Sequence, residues 1–155
     1  RGQVEHLEPT RAVAFLLELA RSGSTADAAE DAIFPATLAD ADETWRELIH
    51  LARDPTVHRG VRKNALFWVG QEAADAATEE LSGVALADDE EQDVRDAAIF
   101  ALSQRPENQA IWSLIEIARS AEQAESRKSA VFWLAQTEDE RVVSFFEEIL
   151  LGRSR

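Results

Sequence analysis

The chain has 155 residues, enough for one domain, and its 30 Asp and Glu against 16 Lys and Arg leave a formal net charge of −14. This charge disfavours a surface built to hold nucleic acid or a membrane, because both need Lys and Arg to neutralise phosphates. The absence of cysteine excludes disulfides, thiolate metal sites and a cysteine nucleophile. No apolar run approaches the roughly 18 residues of a membrane span, and no signal peptide is visible.

A tripeptide of Ala, an aliphatic residue and Phe recurs along the chain. It begins at Ala32, Ala65, Ala98 and Ala130, at spacings of 33, 33 and 32 residues. A second series, an aliphatic residue followed by Ala, keeps the same phase at 19–20, 51–52, 84–85 and 117–118. Two markers in phase over four periods predict a repeat protein.

Each repeat divides into two helical segments, which predicts an all-α fold. The first repeat opens after Pro9, and Pro35 should kink or end its second helix. The predicted helices in chain order are 10–21, a second helix around Pro35, 43–53, 57–71, 75–87, 92–104, 107–119, 123–136 and a closing helix at 139–151. The repeats within this single domain, 1–155, are 10–40, 41–73, 74–106 and 107–138.

Two helix starts carry capping patterns. Asp54 and Pro55 are predicted to supply the N-cap and the first-turn proline of the helix at 57–71. Thr137 and Glu140 have the spacing of a capping box, which predicts that the closing helix begins there.

The second helices open on a shared pattern, Val61-Arg62-x-x-Ala65 in the second repeat and Val94-Arg95-x-x-Ala98 in the third. A helix pair of about 33 residues with this pattern resembles the HEAT repeats, in particular the short bacterial HEAT-like units, over about 10–151. Ser126 replaces the Val in the fourth repeat, and Ala29 replaces the Arg in the first. The resemblance implies a right-handed α-solenoid (α-α superhelix) of four helix pairs plus a closing helix. It also implies a binding scaffold whose second helices line a concave surface.

Successive residues of an α-helix are rotated by about 100° around its axis. With this geometry, each second helix carries one Phe on the side away from its core-facing stripe. The predicted partner-binding residues are Phe67, Phe100 and Phe132, flanked by Lys63, Lys128, Gln71, Gln104 and Gln136. In this interpretation an apolar strip on the concave face binds a peptide or protein partner, without enzymatic activity. The alternative is that the Phe rings fill gaps between neighbouring repeats and complete the core.

Two further sets of residues recur in phase on the second helices. Trp68 and Trp133 lie at the border of the core, either as core residues or as part of the binding surface. An Arg recurs at 62, 95 and 127, and we predict that it pairs with carboxylates or with carbonyls at helix C-termini, with anion binding as the alternative.

Acidic residues gather in two stretches, 22–45 and 72–93, which indicates a solvated outer face or a field that steers a basic partner. The acidic run 88–93 lacks the Gly and the distal Glu of a calcium loop. The three histidines, at positions 6, 50 and 58, have no partner at ligand spacing, so no metal or cofactor is predicted. An enzyme with a site in the concave groove remains an alternative of a different class.

The chain has no methionine, even at position 1, which indicates an excised or processed piece. A structural or regulatory segment of a larger repeat protein is therefore a further alternative. In that case the apolar closing helix would dock on further repeats, and self-association through this helix is a related possibility. For localisation, the resemblance allows both the bacterial cytoplasm and an exported protein whose leader has been removed, and we expect the cytoplasm in slight preference.

Overall fold

The structure is a computed structural model that describes residues 8–23, 25–39, 44–71 and 75–152. Every regular element in these ranges is a helix, which confirms the all-α prediction. The chain divides into two compact units, Arg1–Glu72 and Ala73–Arg155. Their boundary falls within one residue of the predicted junction between the second and third repeats, although that junction and the one at 40–41 lie outside the described residues.

The first unit contains α1 (Pro9–Ser22), α2 (Ala26–Asp31), α3 (Ile33–Thr37), α4 (Thr44–Arg53) and α5 (Arg59–Gly70). Helix α1 packs on α2 and α3, and α4 packs on α5, so each repeat is a helix pair. The pairs stack because α1 also contacts α4, while α2 and α3 contact α5. Aliphatic side chains fill the space between them, with Leu51, Val61 and Leu66 fully buried.

The second helix of the first repeat is broken, as Pro35 predicts. Its two pieces, α2 and α3, are separated by the turn residue Ala32. Proline lacks the N–H that would bond to the Asp31 carbonyl four residues earlier, and its ring clashes with that carbonyl. The helical path is therefore interrupted one turn before the proline.

The second unit contains α6 (Asp75–Leu86), α7 (Gln92–Ser103), α8 (Glu107–Ser120), α9 (Ala124–Leu134) and α10 (Glu140–Leu150). Helix α6 packs on α7 and α8 packs on α9, which gives two further helix pairs. The first helices α6 and α8 contact each other, and so do the second helices α7 and α9. Within this unit, each helix of a pair therefore also packs on the equivalent helix of the other pair, and α7 contacts α8 as well.

The closing helix α10 packs on α8 and runs parallel to it. Near the start of α10, the Arg141 guanidinium carbon lies 5.8 Å from the Trp112 ring centre. Near its end, Glu148 pairs with Arg119, whose guanidinium carbon also lies 5.3 Å from the Phe145 ring. The N-terminal half of α10 thus contacts the N-terminal half of α8, and the C-terminal halves contact each other. Because the two helices are parallel, α10 occupies the position of another first helix.

The prediction that Asp54 is the N-cap of α5 is wrong. Its Oδ1 accepts hydrogen bonds from the Thr56 backbone N–H at 2.9 Å and from the Thr56 hydroxyl at 2.6 Å, which closes a turn in the connecting segment. Helix α5 begins at Arg59, and the N-cap is His58, whose Nδ1 accepts from the Gly60 N–H at 3.2 Å. An Asp-Pro-Thr sequence suits a turn as well as a helix start, and here the turn forms.

The predicted capping box at Thr137 and Glu140 is also wrong. The N-cap of α10 is Asp139, whose Oδ1 accepts from the Arg141 backbone N–H at 2.8 Å. The Thr137 hydroxyl donates instead to the Trp133 carbonyl at 3.3 Å. It therefore satisfies the end of the preceding helix rather than the start of the next one.

The stability of α10 depends on pH through Asp139. The Arg141 side chain donates to both of its carboxylate oxygens, from Nε at 2.9 Å and from Nη2 at 2.8 Å. These bonds, together with the one from the Arg141 backbone N–H, lower the pKa of Asp139 from 3.8 to about 2. Because the pKa is lower in the folded state, the stabilisation is fully present above about pH 4 and is lost as the pH falls toward 2.

We expect the Asp139 carboxyl carbon to titrate in the folded protein with a midpoint near 2, measured by carbon-detected nuclear magnetic resonance. In Asp139→Asn, the loss of α10 amide protection between about pH 4 and pH 2 should be smaller than in the wild type. A midpoint close to 3.8 would show that the Arg141 bonds do not form in solution.

Candidate partner-binding site

The second helices α5 and α9 place their Phe residues on the side away from the core. In α5, Val61, Ala65 and Leu66 are fully buried, whereas 37% of Phe67 is exposed. In α9, Ala130 is buried and 56% of Phe132 is exposed. The helical phase predicted from the sequence is therefore confirmed for these residues.

In the first unit, Phe67 belongs to an aromatic cluster with Phe34 and Trp68. The Phe34 ring, from α3, stacks on the Trp68 ring of α5 with centroids 5.1 Å apart. Phe67 meets the same Trp68 edge-on at 5.2 Å. Both Phe rings are partly exposed, while Trp68 between them is half-buried. We call these three residues the first aromatic cluster.

The second unit repeats this construction with Phe100, Phe132 and Trp133, the second aromatic cluster. The Phe100 ring, from α7, lies 5.2 Å from the Trp133 ring of α9. Phe132 meets Trp133 edge-on at 5.1 Å, at an interplanar angle of 79°. Phe100 and Trp133 are half-buried, so Phe132 is the most exposed ring of this cluster.

Each cluster joins two successive helix pairs, because its Trp contacts a Phe one repeat earlier. Phe34 and Phe100 pack against the Trp of the next repeat, and Phe34, Phe67 and Phe132 are also exposed, at 47%, 37% and 56%. Packing between repeats and exposure to solvent are thus combined in one arrangement. The recurring Ala-aliphatic-Phe tripeptide includes Phe34. The spacing of these tripeptides, however, could not predict that Phe34 contacts Trp68.

The flanking polar residues predicted for the site are all at the surface: Lys63, Lys128, Gln71, Gln104 and Gln136. The Lys128 ammonium lies 2.7 Å from the Glu125 carboxylate, and both side chains are highly exposed. Such a surface ion pair contributes little to stability, so a carboxylate of a partner can replace Glu125 at small cost.

An open groove of about 470 Å³ lies beside the second aromatic cluster, between α8 and α9. It is lined by Ala118, Ala124, Arg127, Lys128, Val131 and Phe132. Two predicted site residues, Lys128 and Phe132, therefore line the same open groove. The sequence could not identify the small residues that form the rest of the wall, because Ala is frequent throughout the chain.

The recurring Arg has a structural role, as predicted, because in each case it donates to a carbonyl at the end of the preceding first helix. The bonds run from Arg62 Nε to the Ala52 oxygen at 2.6 Å, from Arg95 Nη1 to the Ala87 oxygen at 3.1 Å, and from Arg127 Nη1 to the Ala121 oxygen at 2.6 Å. These carbonyls have no partner within their own helix, so the Arg side chains stabilise the ends of α4, α6 and α8.

Among the described residues, no group of three or more His, Asp or Glu side chains could hold a metal ion. Within the acidic stretch 72–93, Asp88, Asp89 and Glu91 are exposed, and Glu72 lies outside the described residues. His6 also lies outside them. In the part of the chain that the structure describes, no helix has the length and apolar character needed to cross a bilayer.

No protein-family model matches the chain, and no curated protein matches it. The HEAT resemblance therefore stays a prediction, and the function has to be argued from the geometry of the site.

Proposed function

We propose that this protein is a non-enzymatic interaction module that binds a peptide or protein partner on the face formed by its second helices. In this proposal the helix pairs are HEAT-like repeats stacked as a right-handed α-solenoid, and the second helices line its concave side. The observation that carries it is the pair of aromatic clusters, which are built alike in the two units and each present a partly exposed Phe.

The clusters suit binding because their exposed rings are held in place before a partner arrives. Phe67 and Phe132 each lie edge-on against a half-buried Trp of the same helix. A ring fixed in this way loses little conformational entropy on binding and still has apolar surface to bury. Aromatic residues of this kind dominate the binding energy of many protein interfaces.

The groove beside Phe132 indicates the chemistry of the partner at that point. Ala118, Ala124 and Val131 give it apolar walls, which suit an aliphatic or aromatic side chain. Lys128 at its edge suits a carboxylate next to that side chain in the partner sequence. Over longer distances the net charge of −14 attracts a partner that is basic as a whole.

The test begins with peptides selected from a displayed library on the wild-type protein. We expect the double variant Phe67→Ala/Phe132→Ala to bind the selected peptides about 10- to 100-fold more weakly, because it removes the exposed ring of each cluster that lies on α5 and on α9. Affinities would be measured by isothermal titration calorimetry, and circular dichroism would show that the helices are retained.

Phe15→Ala is the matched control, because Phe15 is also an exposed Phe on a helix but belongs to α1 and to neither cluster. Its affinity for the peptides should equal that of the wild type. Equal affinities for all three proteins would place the binding surface elsewhere and contradict the proposal.

A further inference from the structure

Two short segments of the second helices have nearly the same sequence. The pattern Arg-Lys-x-Ala-aliphatic-Phe-Trp stands at 62–68 in α5 and at 127–133 in α9. The lysines of these segments, Lys63 and Lys128, are the only two lysines in the sequence, and every other basic residue that carries a full charge is an Arg. Each lysine of the chain therefore occupies the same position relative to an exposed Phe.

The other two repeats differ from this pattern in the same two positions. Where α5 and α9 have Lys, the first repeat has Glu30 and the third has Asp96. Where α5 and α9 have Trp, they have Pro35 and Ala101. The Phe of each of these repeats contacts the Trp of the following repeat. Two successive repeats thus build one site, and each compact unit contains one such site.

In both sites the Lys lies one helical turn before the exposed Phe. Residues four apart on a helix lie on the same side of it, which places Lys63 next to Phe67 on α5. The same spacing places Lys128 next to Phe132 on α9, and all four residues are exposed. Each unit therefore presents a cation beside an apolar ring.

The ammonium groups of both lysines are accessible to a ligand. Among the residues that the structure describes, Lys63 pairs with no carboxylate. Lys128 pairs with Glu125 at 2.7 Å, but both side chains are highly exposed, so solvent screens this pair. By contrast, the Asp96 carboxylate of α7 accepts a hydrogen bond from the Gln92 amide at 3.0 Å. Only the second and fourth repeats thus offer a positive charge at this position.

In the second unit the groove strengthens this charge complementarity. Arg127 lines the groove together with Lys128 and Phe132. Its Nη1 donates to the Ala121 and Glu122 carbonyls, and its other nitrogens donate to no group in the described part of the chain. The groove therefore combines apolar walls with two positive charges, which suits a ligand that is apolar and negatively charged at neighbouring points.

We propose that each unit binds the same kind of partner segment, in which an Asp or Glu stands next to an aromatic or aliphatic residue. The apolar side chain packs on the exposed Phe, and the carboxylate pairs with the Lys one turn before it. The protein is therefore bivalent for one acidic-apolar motif. This inference rests on the proposed binding at the aromatic clusters, and it adds the charge pattern of the partner and the number of sites.

The carboxylate is a local feature of the partner. The net charge of −14 repels a partner that is acidic as a whole, so the motif belongs to a neutral or basic polypeptide. Long-range attraction and local recognition then select different parts of the same partner.

The first test compares short peptides selected from one displayed library on two proteins, the wild type and Lys63→Glu/Lys128→Glu. Peptides selected on the wild type should be enriched in Asp or Glu next to an aromatic or aliphatic residue. Peptides selected on the variant should carry Lys or Arg there, because the reversed charge repels a carboxylate and attracts a cation. Circular dichroism would show that the variant keeps its helices.

The second test resolves the two sites through the indole N–H resonances of Trp68 and Trp133. A peptide selected on the wild type should shift both resonances. Lys63→Glu should raise the dissociation constant measured at Trp68 about 3- to 30-fold and leave the value at Trp133 unchanged. Lys128→Glu should have the opposite effect.

Arg11→Glu is the matched control, because it makes the same change in charge at an exposed position of α1 that belongs to neither cluster. Both dissociation constants should remain as in the wild type. A loss of affinity as large as in the Lys variants would show that only the net charge matters, which would overturn the inference.

Three further results would overturn it: the same peptide composition in both selections, a selected peptide that shifts only one of the two Trp resonances, and Lys variants that bind as the wild type does. Any of these, combined with weaker binding by Phe67→Ala/Phe132→Ala, would leave the proposed function in place without this charge pattern or bivalency. Peptides whose affinity depends on neither Phe would contradict the proposed function itself.

Discussion

Arg62→Ala is expected to lower the free energy of unfolding by about 3 kcal/mol, a large effect for a charged residue. The side chain is 2% exposed, and its Nε donates to the Ala52 carbonyl at 2.6 Å. Removing it leaves that carbonyl buried without its donor and opens a cavity between α4 and α5. Urea denaturation followed by circular dichroism measures the change, and amide exchange in α4 and α5 shows where it acts.

The neighbouring Lys63→Ala is the control, because Lys63 lies one position further along α5 and is exposed. Its effect should be within about 0.5 kcal/mol of zero. Arg62→Lys should also destabilise, because an ammonium group on a different stem cannot reproduce the planar guanidinium contacts. A loss below about 1 kcal/mol for Arg62→Ala would mean that the recurring Arg does not support the helix pair.

Phe145→Ala is expected to cost about 3 kcal/mol and to detach α10. Phe145 is buried, contacts the Phe146 ring at 5.4 Å and lies under the Arg119 guanidinium of α8. With only Val142 as a second buried residue, α10 has few other apolar contacts to keep it docked. Hydrogen exchange should show the largest loss of protection in α10 and the adjoining face of α8.

Phe132→Ala is the matched control for this prediction, since it removes the same atoms from an exposed ring on α9. It should cost less than about 1 kcal/mol. If the two variants were equally stable, α10 would not be docked through Phe145.

The helices and their order could be predicted because the same apolar positions recur in each repeat and determine which side of each helix is buried. The spacing of Ala65, Ala98 and Ala130 places all three in the core, where the structure has them fully buried. The recurring Arg could be assigned to helix ends because the carbonyls there need donors whatever the details of packing.

The helix starts could not be predicted with the same certainty, because several residues compete for the same backbone groups. Asp54 is one side chain that can cap a helix or close a turn, and its bonds to Thr56 decide in favour of the turn. The spacing of Thr137 and Glu140 predicts the Thr137 hydroxyl as the N-cap of α10. In the structure the N-cap is the carboxylate of Asp139, which is bound by Arg141.

The candidate site was predicted only in part, because periodicity places residues on a face but does not pair them. It placed Phe67 and Phe132 on the outer side of their helices, and their exposure agrees. The contacts of Phe34 with Trp68 and of Phe100 with Trp133 depend on how one repeat packs on the next. The groove beside Phe132 depends on the shape left between α8 and α9.

The most direct test of the proposed function uses the tryptophans as reporters. Of the four, Trp68 and Trp133 belong to the aromatic clusters, whereas Trp45 is buried in α4 and Trp112 is exposed on α8. Indole N–H resonances would be followed while a selected peptide is added to the wild-type protein. The account predicts saturable shifts of Trp68, Trp133 or both, with Trp45 and Trp112 unchanged. Shifts of Trp112 alone, or binding that moves none of the four, would contradict it.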